Sequence, residues 1–457
     1  MISLLAAAAI VVRGVTLIDG TGGAPRPGST VVIEAGRIAA AGPDREIETP
    51  PGAQVLDGRG KFLVPGFVDM HAHVTYVEWK RDGQERSKGV YDRKTSEKTL
   101  KLLLAFGVTA VRNPAAPAED GVRLRDDVGA GRIVGPRIFT AGESLDIARF
   151  HDSVTRRVST AEDVRREVRR QAAIGVDYIK LYANLPPDLV AAGIEEAHAR
   201  RLKVLGHLQA TSWTEAAGFG IDGLSHGADW SEKELPAGKR EAYRRDVAAR
   251  GPMKARLTWL ESVDPKGPEI RAMIEALVRH HVVVDPTLIA SATKLRGDDR
   301  EYLVSPDIAL APAPMRASFP RLSFVRDWTP ADFRRGHAAL AKLLALVKLY
   351  ADRGVLLTVG SDEPNPWIVP GPSLHREMAL LVQAGIPRGE VLKMATSNAA
   401  KALGIEAEAG TIAPGKRADL VLLSGDPTAD ISKTTGIVWV MKDGVRHDPK
   451  KLLSEAR

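Results

Sequence analysis

Apolar and polar positions divide the chain into three regions. Over the first sixty residues, short β-branched runs such as IVVRGVTLIDG and STVVIEAGRIAAAGP are bounded by glycine, proline and aspartate, which is typical of short strands joined by turns. From about Leu63 the pattern changes to strand segments alternating with amphipathic helical segments. Strand-like text returns near the end, in AGTIAPGKRADLVLLSGDP and TTGIVWVMKDGVRH. The two ends therefore predict one small β domain around an inserted α/β domain.

The middle region predicts eight strands. Their segments are FVDMHAHV, VTAVRNP, RIFTAGE, DYIKLYA, KVLGHLQ, GLSHGAD, VVVDPTLI and VLLTVGSDE. Helical segments between them, such as TAEDVRREVRRQAAIG, start at Ser, Thr or Asp caps and stop at glycine. Alternation on this scale predicts an α/β protein with a (β/α)8 TIM-like barrel at residues 63–402, with insertions after the first, sixth and seventh strands. Residues 1–62 and 403–457 predict a small composite β-sandwich domain.

Composition narrows the classes of partner. The 457 residues are 44% hydrophobic and 26% charged, as in ordinary soluble globular proteins. The net charge of +7 comes from Lys and Arg interleaved with Asp and Glu, so we expect no nucleic-acid partner. The chain contains no cysteine, which excludes disulfides, thiolate ligands and a Cys nucleophile.

The N-terminal segment MISLLAAAAIVV is apolar but shorter than a membrane span, so we expect no membrane partner. It lacks a basic start and is either the remainder of a secretion signal or a lead-in to the first strand. The compartment, cytoplasmic or exported, is therefore left open.

Ionisable residues recur at the carboxyl ends of the predicted barrel strands, the face where barrel enzymes carry their catalytic groups. Residues i and i+2 of a strand point the same way, so the two imidazoles of HAH face one side. Neutral imidazoles and a carboxylate suit Zn²⁺ first, and also Mn²⁺, Co²⁺ or Ni²⁺. Each residue alone is explained by core packing or capping, but the ordered set predicts a metal site: His71 and His73 on the first strand, Lys180 on the fourth, His207 on the fifth, His226 on the sixth and Asp362 on the eighth.

Longer motifs extend this pattern over nearly the whole chain. They include VPGFVDMHAHV, GVTAVRN, GVDYIKLY, DGLSHGAD, TVGSDE, ATSNAAKALG and GTIAPGKRADLVLL. With these motifs the sequence resembles the amidohydrolase superfamily, in particular its imidazolonepropionase-related and Xaa-Pro dipeptidase-like branch. The resemblance implies two divalent metal ions. Carried over residue by residue, His71, His73 and Asp362 bind the buried ion, His207 and His226 bind the more exposed ion, and Lys180, carboxylated by CO₂ to a carbamate, bridges both.

The resemblance also implies an activity. The expected reaction is cleavage of an amide or peptide C–N bond, in a dipeptide or an N-acyl amino acid, by a metal-bridged hydroxide. Asp362 is the expected catalytic residue, acting as general base and then as general acid. Homo-oligomers are common among the relatives, so we expect a homo-oligomer acting on a small-molecule or dipeptide substrate.

Four further residues are candidate substrate contacts. Tyr182 and Gln209 lie two positions beyond Lys180 and His207, and strand parity directs them above the metals. Arg112 and His151 are candidates for binding a substrate carboxylate. The text GHLQATSW departs from the H-A-H-G of the dipeptidase-like relatives, so their substrates cannot be transferred directly.

Three alternatives differ in what they require of the site. A cyclic amide or lactone hydrolase would differ only in its substrate. A mononuclear deaminase would lack the bridging lysine and carry Glu three residues beyond the fifth-strand histidine, where this chain has Ala210. A binding protein built on a degenerate scaffold would lack some ligands, and none is missing.

Overall fold

The computed structural model of the protein describes residues 9–76, 78–81, 87–148, 153–322 and 324–456. Helices separate most of the strands between residues 67 and 403, as the sequence predicts. The strands are β1 Ile10–Leu17, β2 Arg26–Glu34, β3 Arg37–Pro43, β4 Gln54–Asp57, β5 Phe62–Pro65, β6 Phe67–Asp69, β7 Glu78–Arg81, β8 Ser87–Val90, β9 Val108–Asn113, β10 Arg137–Thr140, β11 Ser144–Asp146, β12 Thr155–Arg157, β13 Tyr178–Leu181, β14 Lys203–Gly206, β15 Gly223–Ser225, β16 Val283–Asp285, β17 Leu356–Leu357, β18 Leu420–Leu423, β19 Ile437–Lys442 and β20 Val445–His447.

The helices begin at capping residues that the sequence displays. Thr160 and Thr329 each form a capping box, and Gly175 ends one helix in the left-handed conformation. The α-helices are α1 Arg93–Ala105, α2 Ala118–Gly129, α3 Ala161–Ile174, α4 Pro187–Ala199, α5 Trp213–Gly218, α6 Ala237–Ser262, α7 Pro268–Arg279, α8 Leu288–Leu295, α9 Arg300–Leu303, α10 Ala313–Ser318, α11 Pro330–Asp352, α12 Pro372–Gln383, α13 Arg388–Met394, α14 Ser397–Leu403 and α15 Pro449–Ala456. Short 3₁₀ turns cover Glu232–Glu234, Pro306–Leu310, Phe319–Leu322 and Ile431–Thr435.

Eight parallel strands form the predicted barrel. Two sheets, β6–β9–β10 and β11 to β17, contain them. Isolated parallel bridges Ala141↔Tyr178 and Ala72↔Glu363 join the sheets on both sides and close the barrel. Each predicted strand segment contains one of the eight strands, in the predicted order: β6, β9, β10, β13, β14, β15, β16 and β17. The (β/α)8 fold expected from the sequence is confirmed.

Strands from the two chain ends form a separate eight-stranded sheet, in the order β20–β19–β18–β5–β1–β2–β3 with β4 paired to β1. Strand β5 belongs to it, so the sheet reaches past the predicted boundary at residue 62. Its buried apolar residues include Val12, Val31, Leu420 and Trp439, drawn from both ends of the chain. Residues 1–8 of the apolar N-terminal segment lie outside the described residues.

Insertions follow the sixth and seventh barrel strands, as predicted. Helices α6 and α7 separate β15 from β16, and α8 to α11 separate β16 from β17. Gly251 breaks α6 with φ +77°, ahead of Pro252, so its second half takes a new direction. In the described part of the chain, no helix is both long enough and apolar enough to cross a membrane.

Candidate metal centre

Each of the six predicted ligands lies at the carboxyl end of its barrel strand. Lys180 is within β13, whereas the others follow the ends of their strands. The sequence predicted His71 and His73 within the first barrel strand. Strand β6 ends at Asp69, so both histidines lie in the segment that follows it. The two imidazoles still point to the same side, because both reach the carboxylate of Asp362.

The inner cluster consists of His71, His73 and Asp362. Nε2 of His71 and Nε2 of His73 each lie 3.4 Å from Oδ1 of Asp362. The side chains of His71 and Asp362 are only 3% and 7% exposed. Burial alone would raise the pKa of Asp362, but the two histidines and Lys294 outweigh it and bring this pKa below its ordinary value. Burial lowers the pKa of His71 far below its usual range, so the imidazole is neutral and able to bind a cation.

The outer pair consists of His207 and His226. Nδ1 of His207 lies 2.9 Å from Nε2 of His226, with ring centroids 4.2 Å apart. The His226 ring is 5.4 Å from the ring of His71, so the pair adjoins the inner cluster. Burial lowers the pKa of both His207 and His226 well below the ordinary value. All four imidazoles therefore face one small volume.

Lys180 lies among these histidines. Its side chain is buried, and Nζ donates a hydrogen bond to Oγ of Ser225, 3.0 Å away. Burial lowers the pKa of Lys180 to about 8, with Asp285 partly offsetting that effect. The neutral amine is therefore more abundant near neutral pH than for an ordinary lysine, and only the neutral amine can add CO₂.

The donor set fits divalent ions of the zinc type. Two ligands of a tetrahedral Zn²⁺, each at about 2.0–2.1 Å, are about 3.3 Å apart. The two histidine nitrogens of the inner cluster lie 3.4 Å from the Asp362 oxygen, close to that spacing. His71, His73 and Asp362 together place one ligand atom each within 4.8 Å of the others. This makes the inner cluster a possible metal site.

A charged network fixes the orientation of His71. Nδ1 of His71 lies 2.6 Å from Oδ2 of Asp285, which is fully buried at the end of β16. The other carboxylate oxygen of Asp285 accepts a hydrogen bond from the guanidinium of Arg112, and Nε of Arg112 donates to the carbonyl of Met70 at 2.8 Å. With its proton held on Nδ1, His71 presents the Nε2 lone pair toward Asp362.

A neutral network fixes the orientation of His226. Nδ1 of His226 lies 2.7 Å from Oγ1 of Thr287, whose backbone has φ +44°. Thr287 precedes α8, and the first two amides of that helix, at Leu288 and Ile289, donate to the carboxylate of Glu377 at 2.8 and 2.6 Å. Burial raises the pKa of Glu377 to about 8, against the lowering effect of these two donors. Helix α12 thus holds the start of α8, and with it Thr287.

Asp69 connects the first and last barrel strands behind the inner cluster. Its Oδ1 accepts hydrogen bonds from the amides of His71 and Ser361, both at 3.0 Å. Burial raises the pKa of Asp69 to about 7. Gly360 permits the close approach, because a Cβ at this position would come within 2.8 Å of Cβ of His71. These contacts set the separation of His71 and Asp362.

Comparison with known proteins agrees with this geometry. A sequence model described as the amidohydrolase family matches residues 62–446. The chain belongs to the amidohydrolase family. The match includes every barrel strand and all six side chains of the centre. The protein is a hydrolase acting on carbon–nitrogen bonds.

Relatives of this amidohydrolase cover almost all of its length. Imidazolonepropionase from Agrobacterium fabrum is 26% identical over 429 residues, which make up 91% of this chain and 88% of that protein. The structure of bottromycin amidohydrolase is 26% identical with a TM-score of 0.70, covering 98% of this chain and 90% of that one. A Xaa-Pro dipeptidase with methionine bound in its active site has a TM-score of 0.70 at 19% identity, covering 96% of this chain and 100% of that one, and shows the shared fold alone.

The four predicted substrate contacts occupy different positions. The ring of Tyr182 lies 4.7 Å from the ring of His207, at the outer side of the centre. Gln209 is partly exposed beyond β14, where its backbone N–H donates a hydrogen bond to the carbonyl of Ala183 at 3.2 Å. Arg112 is 2% exposed and already has Asp285 as its anionic partner, so its guanidinium supports His71. His151 lies outside the described residues.

The sequence analysis missed residues that support this amidohydrolase's ligands, above all Asp285. Asp285 ends the seventh barrel strand, β16, in the segment VVVD. Among the last five barrel strands, this is the one from which no ligand was predicted. The rule that selects ionisable residues at carboxyl ends of strands would have found it. Thr287 and Glu377 carry no comparable signal, because their contacts depend on how α8 and α12 pack.

Proposed function

We propose that this amidohydrolase is a binuclear metal-dependent enzyme that cleaves the amide or peptide bond of a dipeptide or an N-acyl amino acid. The observation that carries the proposal is the convergence of four imidazoles, one carboxylate and one lysine at one end of the barrel. His71, His73 and Asp362 would hold the inner ion, and His207 and His226 the outer ion. Zn²⁺ is the proposed metal, with Mn²⁺, Co²⁺ and Ni²⁺ as alternatives.

Lys180 supplies the bridge in this proposal. An ammonium cannot bind a cation, but the neutral amine of Lys180 can attack CO₂ and lose a proton to give a carbamate. The carbamate is an extended carboxylate whose two oxygens can each face one ion. The buried position of Lys180 between both histidine sets, and its pKa of about 8, support this assignment.

Proton transfer falls to Asp362. When bound, the two ions would supply a water of lowered pKa and polarise the scissile carbonyl. Because its pKa lies below the ordinary value, Asp362 is ionised near neutral pH and can accept the proton of the attacking water. It then passes that proton to the departing nitrogen, as general base followed by general acid. Tyr182, beside His207, is placed to donate a hydrogen bond to the developing oxyanion.

A cyclic amide is the second candidate substrate. The full-length similarity to an imidazolonepropionase favours it, because that protein is named for an imidazolone ring. The same ligands and the same proton transfer by Asp362 would serve a ring C–N bond. The two candidates therefore differ in the pocket above the centre.

The experiment is a hydrolysis assay on protein reconstituted with Zn²⁺ or Mn²⁺ in the presence of bicarbonate. Dipeptides, N-acyl amino acids and cyclic amides are supplied separately, and release of the free amine or opening of the ring is measured. Turnover of a linear amide that is lost in the Asp362→Asn variant is the expected result. Turnover of cyclic amides alone would select the second candidate, and equal rates in the variant would refute the role of Asp362.

A further inference from the structure

Two basic side chains near the outer side of the centre have no acidic partner. Arg256 lies in the second half of α6, and Lys294 lies near the end of α8. Both are partly buried. Within the described residues, neither forms an ion pair with a carboxylate, although Lys254, two positions before Arg256, pairs with Asp327 at 3.1 Å. A buried cation without an anionic partner is costly, so an anion is expected at this position when the enzyme works.

Helix geometry places Lys294 above the outer pair. Ser291 and Lys294 are spaced i and i+3 and share one face of α8, and Thr287 directly precedes this helix. Thr287 contacts His226 directly, at 2.7 Å. Side chains on a helix lean toward its N-terminus, so the ammonium of Lys294 is directed back toward Thr287 and the centre. Phe324, whose ring centroid is 5.3 Å from Nζ, flanks the ammonium.

Arg256, in α6, contacts the loop that follows β15. Its guanidinium lies 5.0 Å from the ring centroid of Trp230, four residues beyond His226. Trp230 is fixed from both sides: its carbonyl accepts a hydrogen bond from Tyr243 at 2.7 Å, and its ring packs edge-on against Trp259 with centroids 5.4 Å apart. Nε of Arg256 is buried and makes no hydrogen bond within the described part of the chain.

The charges around the two cations show what is missing. Burial lowers the pKa of Lys294 to about 8, and Asp362 opposes that change. Burial lowers the pKa of Arg256 as well, against the effects of Tyr243, Tyr182 and Asp362. Asp362 thus acts on both cations, and in the proposed function it is shared with the inner ion. The space between the two cations and the centre carries an excess of positive charge.

We propose that Arg256 and Lys294 together bind the free carboxylate of the substrate and so select amides whose leaving amine belongs to an amino acid. This inference rests on the proposed function for the identity of the ligand. It assigns to Arg256 and Lys294 the task that the sequence suggested for Arg112 and His151. Arginine offers a planar fork that matches a carboxylate, and lysine adds a second charge-assisted hydrogen bond.

Binding of matched ligands tests the inference without requiring turnover. The probes are a panel of N-acetyl amino acids and the corresponding primary amides, titrated by calorimetry into the Zn²⁺-reconstituted protein. The acid of a binding pair is expected to bind about 10- to 100-fold more tightly than its amide, since the amide lacks the charge. Arg256→Met and Lys294→Met should each reduce that preference by about 10-fold. Lys254→Met, which removes a charge from the same helix as Arg256, should retain the preference.

Thermal unfolding checks that each variant is folded. Arg256→Lys provides a second variant, which keeps the positive charge but loses the planar, two-pronged guanidinium. An intermediate preference in Arg256→Lys supports the proposal. Equal binding of acids and amides by the wild type, no binding of any acid, or an unchanged preference in both Met variants would overturn it.

A separate hydrolysis assay distinguishes the two proposals. An acid preference without hydrolysis would refute the proposed function and leave the carboxylate site standing. Hydrolysis with equal kcat/KM for acids and amides would support the proposed function and refute the carboxylate site.

Discussion

The inner cluster and the outer pair are supported in different ways. Behind His71 stands a charged network in which Asp285 bonds both the imidazole and the guanidinium of Arg112. Behind His226 stands the neutral hydroxyl of Thr287, held in place through the backbone of α8 and Glu377. A carboxylate partner raises the basicity of an imidazole ligand more than a hydroxyl does. We therefore expect the inner ion to be bound more tightly than the outer ion.

Burial shows the same contrast. His71 and Asp362 are almost completely enclosed, whereas His207 and His226 are partly exposed, with the ring of His207 beside that of Tyr182. A tightly bound inner ion and an accessible outer ion suit different tasks. In the proposed function, the inner site would fix the position of the proton acceptor Asp362, and the outer site would give the substrate a place to approach.

Asp362→Asn is expected to have the largest effect, because it removes the group that accepts and returns the proton. We expect kcat to fall by about 10²–10⁴-fold, with little change in thermal stability. Steady-state kinetics on the best linear amide would measure it. Asp298→Asn, at an exposed aspartate that pairs with His337 on the surface, is the control and should match the wild type. Comparable kcat in Asp362→Asn and the control would refute the proposed catalytic role.

Lys180→Ala tests the link between the two halves of the centre. Without a bridge the outer pair alone should hold its ion weakly, so metal content should fall by about one ion per chain, and kcat should fall by about 10²-fold or more. Metal analysis after gel filtration measures the first effect. Lys203→Ala is the control, since Lys203 begins β14 at the opposite end of the barrel and donates to the carbonyl of Ala402. Unchanged metal content in Lys180→Ala would exclude a bridging lysine.

The comparison between the two supports is tested directly by Asp285→Asn and Thr287→Val. Asp285→Asn should weaken binding of the tighter ion by about 10- to 100-fold. It should also destabilise the fold by about 3–5 kcal/mol, because it leaves Arg112 buried without its anion. Thr287→Val should cost only about 0.5–1.5 kcal/mol and affect the weaker ion alone. Competition with chelators resolves the two affinities. If Thr287→Val weakened the tighter ion, the assignment of supports would be wrong.

For Glu377 we expect a change in the pH dependence of stability. Its pKa is raised by burial from 4.5 to about 8, so folding favours the neutral acid. That contribution is complete below the unfolded pKa and is lost as pH rises toward about 8. Glu377→Gln, which cannot titrate, should lose less stability over this range. Its amide NH₂ faces a backbone N–H, so it should be less stable overall by about 1–3 kcal/mol. Denaturant unfolding of the wild type and Glu377→Gln at several pH values measures the overall stability and its pH dependence. An equal pH dependence in the two proteins would contradict the assigned role of Glu377.

The barrel could be predicted from the sequence because its signals are local. Each strand is a short apolar run, and several helices display their caps, as Thr160 and Gly175 do for α3. The six ligands follow from the fold, since the carboxyl ends of parallel barrel strands converge. The end sheet was predicted from the similar composition of the two termini.

The supports and the unpaired cations could not be predicted in the same way. Thr287 contacts His226 only because Glu377, on a distant helix, holds the start of α8. Arg256 follows the break of α6 at Gly251 and stacks on Trp230, a residue of another segment. Arg112 shows the converse, because a basic residue at the end of a strand suggests a substrate contact until its buried partner Asp285 is seen. These contacts depend on long-range packing and not on local pattern.

The central claim is that one chain binds two divalent ions through these six side chains. Elemental analysis of protein prepared with added Zn²⁺ and bicarbonate tests it most directly, with the His207→Ala, His226→Ala double variant as the matched control. We predict about two ions per chain in the wild type and about one in the double variant. One ion or none in the wild type would contradict the binuclear centre.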